Sequence, residues 1–198
     1  MPLRLSRPQQ QPVNDPCPDR RRFLRFGVAA TTALFVPQAF GNVLAKLPVQ
    51  QERKLSLLNL HTGERLNATY WADGQYQASE LEAINRILRD HRTGDVARMD
   101  KNLLDLLNVL HQQMDSKQAF QVISGYRSPK TNAALSKKSN GVAKKSLHMQ
   151  GKAIDIRLPD CQLSDLRKAA IDCQIGGVGY YQKSNFIHID TGLIRHWG

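Results

Sequence analysis

Cysteine, aromatic side chains, acidic charge and long apolar runs are all scarce in this chain of 198 residues, and each scarcity excludes something. A membrane-crossing helix needs about 20 consecutive apolar residues. The run from Phe26 to Val36 stops at Pro37, so no stable membrane span is expected. Of the three cysteines, Cys17 falls in an N-terminal segment expected to be removed, which leaves Cys161 and Cys173. Neither has metal-ligand spacing, so no structural zinc cluster is implied. Ser164 reads as the N-cap of a helix running to about Cys173. Such a helix holds the two thiols about 13 Å apart, beyond the roughly 7 Å Cα limit for a disulfide. Free, mostly buried thiols are therefore expected.

Nucleic acid is excluded as a partner by what is missing: there is no aromatic-rich RNP element, no finger spacing and no basic recognition helix. Nor is a pair of carboxylates singled out for acid and base work, which argues against a glycan hydrolase. The chain has no internal repeat, and its only biased stretch is the Gln/Pro-rich start.

Positive charge is present in excess. The 28 basic and 17 acidic residues give a net +11, and residues 46–198 keep 22 basic and 15 acidic residues, a net +7. Such a balance favours a polyanion, and peptides bearing free carboxylates qualify. Lys137, Lys138, Lys144 and Lys145 bracket a loop ahead of His148. They either steer an anionic substrate or form a solvated face, and both readings stand.

The N-terminus is written as an address. Asp19-Arg20-Arg21-Arg22-Phe23-Leu24-Arg25 followed by a short apolar run has the form of a twin-arginine signal, with Val43-Leu44-Ala45 before a cleavage point. The expected organisation is a signal peptide over 1–45 and one domain over 46–198. Export by the Tat translocase to the periplasm follows. About 150 residues suffice for a core of normal depth.

The most informative feature lies near the other end. Ser146-Leu-His148-Met-Gln-Gly151-Lys-Ala153-Ile-Asp155 is answered by Asn185-Phe-Ile-His188-Ile-Asp190. Two imidazoles and a carboxylate are what a catalytic zinc takes from protein, and three such ligands leave a fourth position open. That set leaves a zinc ion with net charge +1, suited to polarising a carbonyl and acidifying water. Ala153 to Arg157 and Phe186 to Asp190 both alternate like half-buried strands. Asp155 then shares a face with Arg157, and His188 with Asp190. Two neighbouring strands bring Asp155 and His188 to one surface, and His148 arrives from the loop that Gly151 lets turn tightly. His148, Asp155 and His188 are thus the candidate ligands of one Zn2+.

These residues carry a resemblance. Ser146, His148, Gly151, Ala153 and Asp155 match the S-x-H-x-x-G-x-A-x-D signature of the D-Ala-D-Ala metallopeptidase superfamily, which includes zinc carboxypeptidases, VanX-type dipeptidases and the hedgehog amino-terminal domain. His188 matches its third ligand. Ser124-Gly125-Tyr126-Arg127-Ser128 is similar to its S-G-[YW]-R-S element, and Gly176 to Tyr181 precedes the last strand as in that superfamily. With Val142-Ala-Lys-Lys145 and Ile194-Arg-His-Trp197, the chain most resembles the Tat-exported murein endopeptidase K group.

The resemblance implies hydrolysis of peptidoglycan stem-peptide cross-links, between D-Ala and meso-diaminopimelate or between two meso-diaminopimelates. It also implies that Arg127 contacts substrate. A guanidinium suits a free carboxylate of a stem peptide, and a structural ion pair is the other reading of Arg127. A D-Ala-D-Ala carboxypeptidase and a non-catalytic zinc-containing murein-binding protein are the alternatives.

One departure stands out. Many relatives carry Glu or His just before the third ligand, where this chain has Asn185 and Phe186. Asp190 is the first candidate for the general base and His196 the second, although Asp190 equally suits holding a ligand histidine. Ser146 is read as fixing its loop. Tyr126, Tyr180 and Tyr181 are read as groove or core aromatics.

The rest is scaffold. Lys46 to Lys54 reads as an extended lead-in, and Leu55–Leu60 with Arg65–Trp71 as a hairpin. A helix is expected behind a Ser79/Glu82 capping box, and a second from Asp100 with Leu103, Leu104, Leu106, Leu107, Leu110 and Met114 inward. Ala119–Ser124 reads as a strand, and Ser128-Pro129 opens a short helix. His91 and His111 have no sequence partner and are read as structural. The fold expected is α+β, a small antiparallel sheet carrying the site with helices packed on one side.

Overall fold

The computed structural model describes residues 52–139 and 141–198. The expected signal peptide lies outside them. Strands β1 (Glu52–Asn59) and β2 (Arg65–Ala72) form the expected hairpin, with Leu57 opposite Leu66. Their alternation buries Leu55, Leu57 and Asn59 from one strand and Ala68 and Tyr70 from the other. Then come β3 (Gln75–Tyr76), α1 (Ala78–Ile87), α2 (Lys101–Gln113), β4 (Phe120–Ser124) and α3 (Pro129–Lys138). The chain ends with β5 (Ala153–Arg157), α4 (Leu163–Asp172), β6 (Gly177–Tyr181), β7 (Phe186–Asp190) and β8 (Arg195–Trp197).

All eight strands join one sheet in the order β3-β2-β1-β4-β5-β7-β6-β8. The α+β class holds, but the sheet is neither small nor wholly antiparallel. β1 runs parallel to β4, and β6 parallel to β8. Parallel pairing needs a long crossover, which α1 and α2 supply between β1 and β4.

One face of the sheet is the core. Leu55, Leu57, Phe120, Val122, Ile154, Ile156, Val178, Ile187 and Ile189 meet Ile84 and Leu88 from the α1 region, the leucines of α2, and Leu166 and Ala170 of α4. Leu103, Leu104, Leu107 and Leu110 of α2 are fully buried. Burial of each stabilises the fold by roughly 1.5–3 kcal/mol relative to exposure. α3 lies outside this cluster and is joined to the site by Asn132, described below. No described helix is long and apolar enough to cross a membrane.

Two caps appear where expected. Asp100 accepts from the Asn102 amide at 3.0 Å, and Ser128 accepts from the Thr131 amide at 3.2 Å with Pro129 opening the helix. Two do not. α1 starts at Ala78, so Ser79 sits inside its first turn. Tertiary contacts set this start, because Gln77 donates from its amide to Tyr70 O at 2.9 Å and from Nε2 to Ala72 O at 3.1 Å. α4 starts at Leu163, which packs on the core, so Ser164 is likewise inside the helix. Cys161 and Cys173 stay thiols as expected, and burial pushes the Cys173 thiol up to about 11.

A buried polar hub, unforeseen in the sequence, ties the hairpin to α2. Asp105, 7% exposed on its side chain, accepts from Tyr70 Oη at 2.9 Å and Tyr76 Oη at 2.8 Å, and pairs with Arg53 at 2.8 Å. The leucine stripe of α2 gives no hint of it, since all three partners come from β1, β2 and β3.

Candidate metal centre

The opposite face of the sheet carries the site. Cross-strand partners share a face, and one row runs from Ser124 in β4 to Asp155 in β5, His188 in β7, Gly179 in β6 and Trp197 in β8. Asp155 and His188 are direct neighbours in register. Alternation puts Ile154, Ile156, Ile187 and Ile189 into the core and leaves the polar pair on the other side.

His148 enters from a single 3₁₀ turn, Leu147–Gln150. Ser146 Oγ caps it by accepting from the His148 amide at 3.3 Å. Gly151 ends it at φ +67, and a Cβ there would lie 2.2 Å from Arg98 O, so only glycine fits. The buried His148 donates from Nδ1 to the carbonyl of Gly125 at 2.7 Å. A carbonyl can only accept, so Nε2 carries the lone pair and faces the cluster. The Arg127 amide in turn donates to His148 O at 3.2 Å, which joins the Ser-Gly-Tyr-Arg turn to the histidine turn.

His148 Nε2, His188 Nδ1 and Asp155 Oδ1 form a triangle with edges of 3.2, 2.9 and 3.3 Å. Donors arranged tetrahedrally at about 2.0–2.1 Å from an ion stand about 3.3 Å apart. The three side chains thus fit a divalent ion, and all three are buried or nearly so. Burial opposes ionisation of Asp155, but His148 and His188 beside it more than offset this and hold it below the usual carboxylate range. Burial also opposes protonation of His188. The carboxylates of Asp155 and Asp190 on its two nitrogens overcome that and raise it to about 9.

Asp190, the first sequence candidate for a base, is fully buried and its oxygens are saturated. Oδ1 accepts from the amides of Gly177 at 3.0 Å and Gly192 at 2.9 Å and from Arg195 Nη1 at 3.1 Å. Oδ2 accepts from Arg195 Nη2 at 2.6 Å and meets His188 Nε2 at 3.0 Å. Its oxygens are taken up by these donors, and Oδ2 holds His188 from the side away from Asp155. His196 pairs with Val178, a core residue, so it sits on the face away from the cluster. Asn185 occupies a left-handed turn at φ +53, and its amide does not titrate near neutral pH, so it cannot replace a Glu or His as a base.

Arg127 is 13% exposed on its side chain and lies beside the cluster, with Nη2 3.8 Å from Asp155 Oδ2. Its other contacts are long: Nη2 to Ser124 Oγ at 3.3 Å and Nη1 to Asn132 Oδ1 at 3.5 Å, with Nε unpartnered. Asn132 is fixed from α3 by donating to Ala143 O at 3.1 Å and Lys144 O at 3.3 Å. A buried fork with unused donors is suited to a carboxylate.

The far wall is aromatic. Trp197 lies 5.3 Å from the His188 ring and donates from Nε1 to Tyr181 Oη at 3.1 Å, and Tyr181 stacks on Phe186 at 4.6 Å. A Cβ on Gly179 would stand 2.5 Å from the Trp197 ring, so the missing side chain makes room for the indole. Of the three tyrosines read from sequence, Tyr181 reaches the site, while Tyr126 and Tyr180 pack against the core. His91 stacks on His61 at 3.8 Å, and His111 Nε2 meets Gln118 O at 2.8 Å. Lys137, Lys138, Lys144 and Lys145 are all exposed.

The profile of the family described as peptidoglycan L,D-endopeptidase MepK matches residues 48–197, which spans every strand and helix of the site. The chain belongs to this family. Similar to it are the peptidoglycan L,D-endopeptidase MepK of Escherichia coli K12, 42% identical over 179 residues, and the probable MepK of Haemophilus influenzae, 37% identical over 180 residues. The match covers 90% of this chain in both cases, and 97% and 95% of the two relatives. Membership of this family makes the chain a peptidase of metal-dependent type, and among the described residues His148, Asp155 and His188 form a group that could hold a metal ion.

Sequence reasoning missed Arg195 and the placement of Trp197. Both sit on β8, a strand of three residues whose alternation is too short to detect.

Proposed function

We propose that this protein is a zinc-dependent peptidoglycan endopeptidase, with His148, Asp155 and His188 as the zinc ligands and Arg127 as the substrate anchor. The observation that carries this is the near-regular triangle of the three ligand atoms with a donor-rich guanidinium beside it. Two imidazoles and one carboxylate suit zinc better than hard cations, which prefer oxygen donors. When bound, zinc polarises a carbonyl and brings the pKa of water toward neutrality.

The chain's own residues then orient the peptide. Arg127 clamps a free carboxylate next to the scissile bond, and that charge-assisted contact sets the distance of the carbonyl from the cluster. Asp190 holds the Nε2 proton of His188, which leaves Nδ1 free to act as a ligand. Trp197, Tyr181 and Phe186 form an aromatic wall on one side.

Stereochemistry narrows the bond. A link from D-Ala to meso-diaminopimelate joins two D centres, whereas a link between two meso-diaminopimelates runs from an L centre to a D centre. The relatives' designation as L,D-endopeptidases therefore favours the second. In that link the D centre bears a free carboxylate next to the scissile nitrogen, the group Arg127 would clamp. Its substrate lies outside the cytoplasmic membrane, in keeping with a twin-arginine signal over residues 1–45, the Tat translocase as export partner and the periplasm as its place of work.

Chromatography of purified cross-linked muropeptides tests the proposal, comparing zinc-loaded protein, a chelator-treated sample and His188→Ala. Dimers joined through two diaminopimelates should fall to monomers with the first sample alone. Intact dimers with folded, zinc-loaded protein would reject an endopeptidase, and loss of terminal D-Ala from pentapeptides would identify a carboxypeptidase instead.

A further inference from the structure

We propose that Arg195 is a positioning residue of the metal centre, acting through Asp190 on His188. The inference rests on the metal reading above and concerns a residue outside the ligand set and the anchor.

Asp190 is a carboxylate with 0% exposure, and a buried carboxylate is tolerated when it is paired and its lone pairs are filled. Among the described residues Arg195 alone places a guanidinium fork on it, with Nη1 on one oxygen at 3.1 Å and Nη2 on the other at 2.6 Å. A fork bound to both oxygens fixes the plane of the carboxylate, which two amides at one oxygen cannot do alone. Oδ2 then sits 3.0 Å from His188 Nε2 in one orientation. An ionised oxygen only accepts, so Nε2 keeps its proton on Asp190, and Nδ1, which faces Asp155 and His148, is the nitrogen left to give up its proton to a metal.

The guanidinium is itself held. Nη1 donates to Leu193 O at 2.8 Å, and the group lies 5.1 Å from the Trp197 ring centroid, the ring that flanks His188 on its other side. The strand β8 therefore carries two adjacent contacts to the His188 neighbourhood, one through Asp190 and one through the indole. Arg195 remains 45% exposed on its side chain, so the place of its guanidinium is open to solvent.

The test is zinc affinity by chelator competition on the purified protein, with circular dichroism alongside. Arg195→Ala should weaken zinc binding at least tenfold while the helical signal is kept. Millimolar guanidinium, far below denaturing concentration, should restore most of that loss and leave wild type unchanged, since the free ion can reach Asp190. Arg195→Lys should fall between the two. Arg167→Ala is the control, because Arg167 reaches Gly198 O at 3.5 Å and lies over Tyr180 without touching Asp190. It should bind zinc like wild type.

Zinc affinity of Arg195→Ala within twofold of wild type overturns the proposal. So does an equal loss in Arg167→Ala, or a loss that guanidinium leaves unchanged, since either marks general loosening of the C-terminal strand. Should Arg195→Ala fail to fold, Arg195→Gln takes its place with the same thresholds. Wild type that binds no zinc at all would overturn the metal reading itself, a separate result read from the same titration.

Discussion

Replacing Arg127 by methionine, which keeps the length of the side chain and removes its donors, separates substrate anchoring from structural pairing. The guanidinium's contacts within the protein are weak by distance: 3.3 Å to Ser124, 3.5 Å to Asn132, 3.8 Å to Asp155, and none from Nε. Losing them should cost the fold about 1 kcal/mol or less, a small shift in Tm. A substrate carboxylate in that fork gains two charge-assisted bonds, each worth about 1.5–3 kcal/mol. A loss of about 3 kcal/mol corresponds to roughly a 150-fold fall in kcat/KM. Lysine keeps the charge without the fork, so Arg127→Lys should recover only part of it. The assay is initial-rate hydrolysis of cross-linked muropeptide dimers by zinc-loaded enzyme, with thermal unfolding measured on the same samples. Activity within threefold of wild type, together with a clear drop in Tm, would refute anchoring and make Arg127 a structural ion-pair partner.

Zinc binding should be proton-linked. His188 is raised to about 9 in the metal-free protein, so at pH 7 the ion displaces its proton, and affinity should rise about tenfold per pH unit until about pH 9. Calorimetry in buffers of different ionisation enthalpy should count about one proton released at pH 7, and zero would refute the assignment of Nδ1 as a ligand. In the metal-free protein the same raised value contributes stability that is fully present below the unfolded pKa of about 6.5 and is lost as pH rises through about 9. Asp105→Ala strips the acceptor from Tyr76 and Arg53 and leaves Tyr70 only the Leu104 carbonyl at 3.2 Å, and urea unfolding should show a loss of about 3–5 kcal/mol. A loss under 1 kcal/mol would mean that the hub contributes little. Gly179→Ala should push the indole of Trp197 off the strand, lowering activity and shifting tryptophan emission to the red while zinc stays bound. Unchanged emission would show that the strand gives way instead of the ring.

Much of the metal centre is legible in the residues themselves. Strand alternation alone puts Asp155 on one face with Arg157 and His188 on one face with Asp190, and Gly151 marks the turn that delivers His148. The sheet realises those faces through the direct Asp155 and His188 pairing. Helix starts are legible where a side chain caps its own backbone, as at Asp100 and Ser128. Ser79 and Ser164 mislead, because packing by Gln77 and Leu163 moves the boundary. For Asp190 the residue pattern allows both a base and a ligand's support. Its four donors other than His188, drawn from Gly177, Gly192 and Arg195, are visible only in the fold.

Sequence alone determined which residues are the candidate ligands, because ligand type, local turns and a period of two are properties of neighbours along the chain. Tertiary structure decided the size of the sheet, the parallel pairing of β1 with β4 and of β6 with β8, the hub at Asp105, and the meeting of Arg195 and Trp197 with the His188 side of the site. Those depend on which strand lies beside which and in what register. Register is set by long-range burial and hydrogen bonding, of which a segment as short as Arg195–Trp197 bears no local trace.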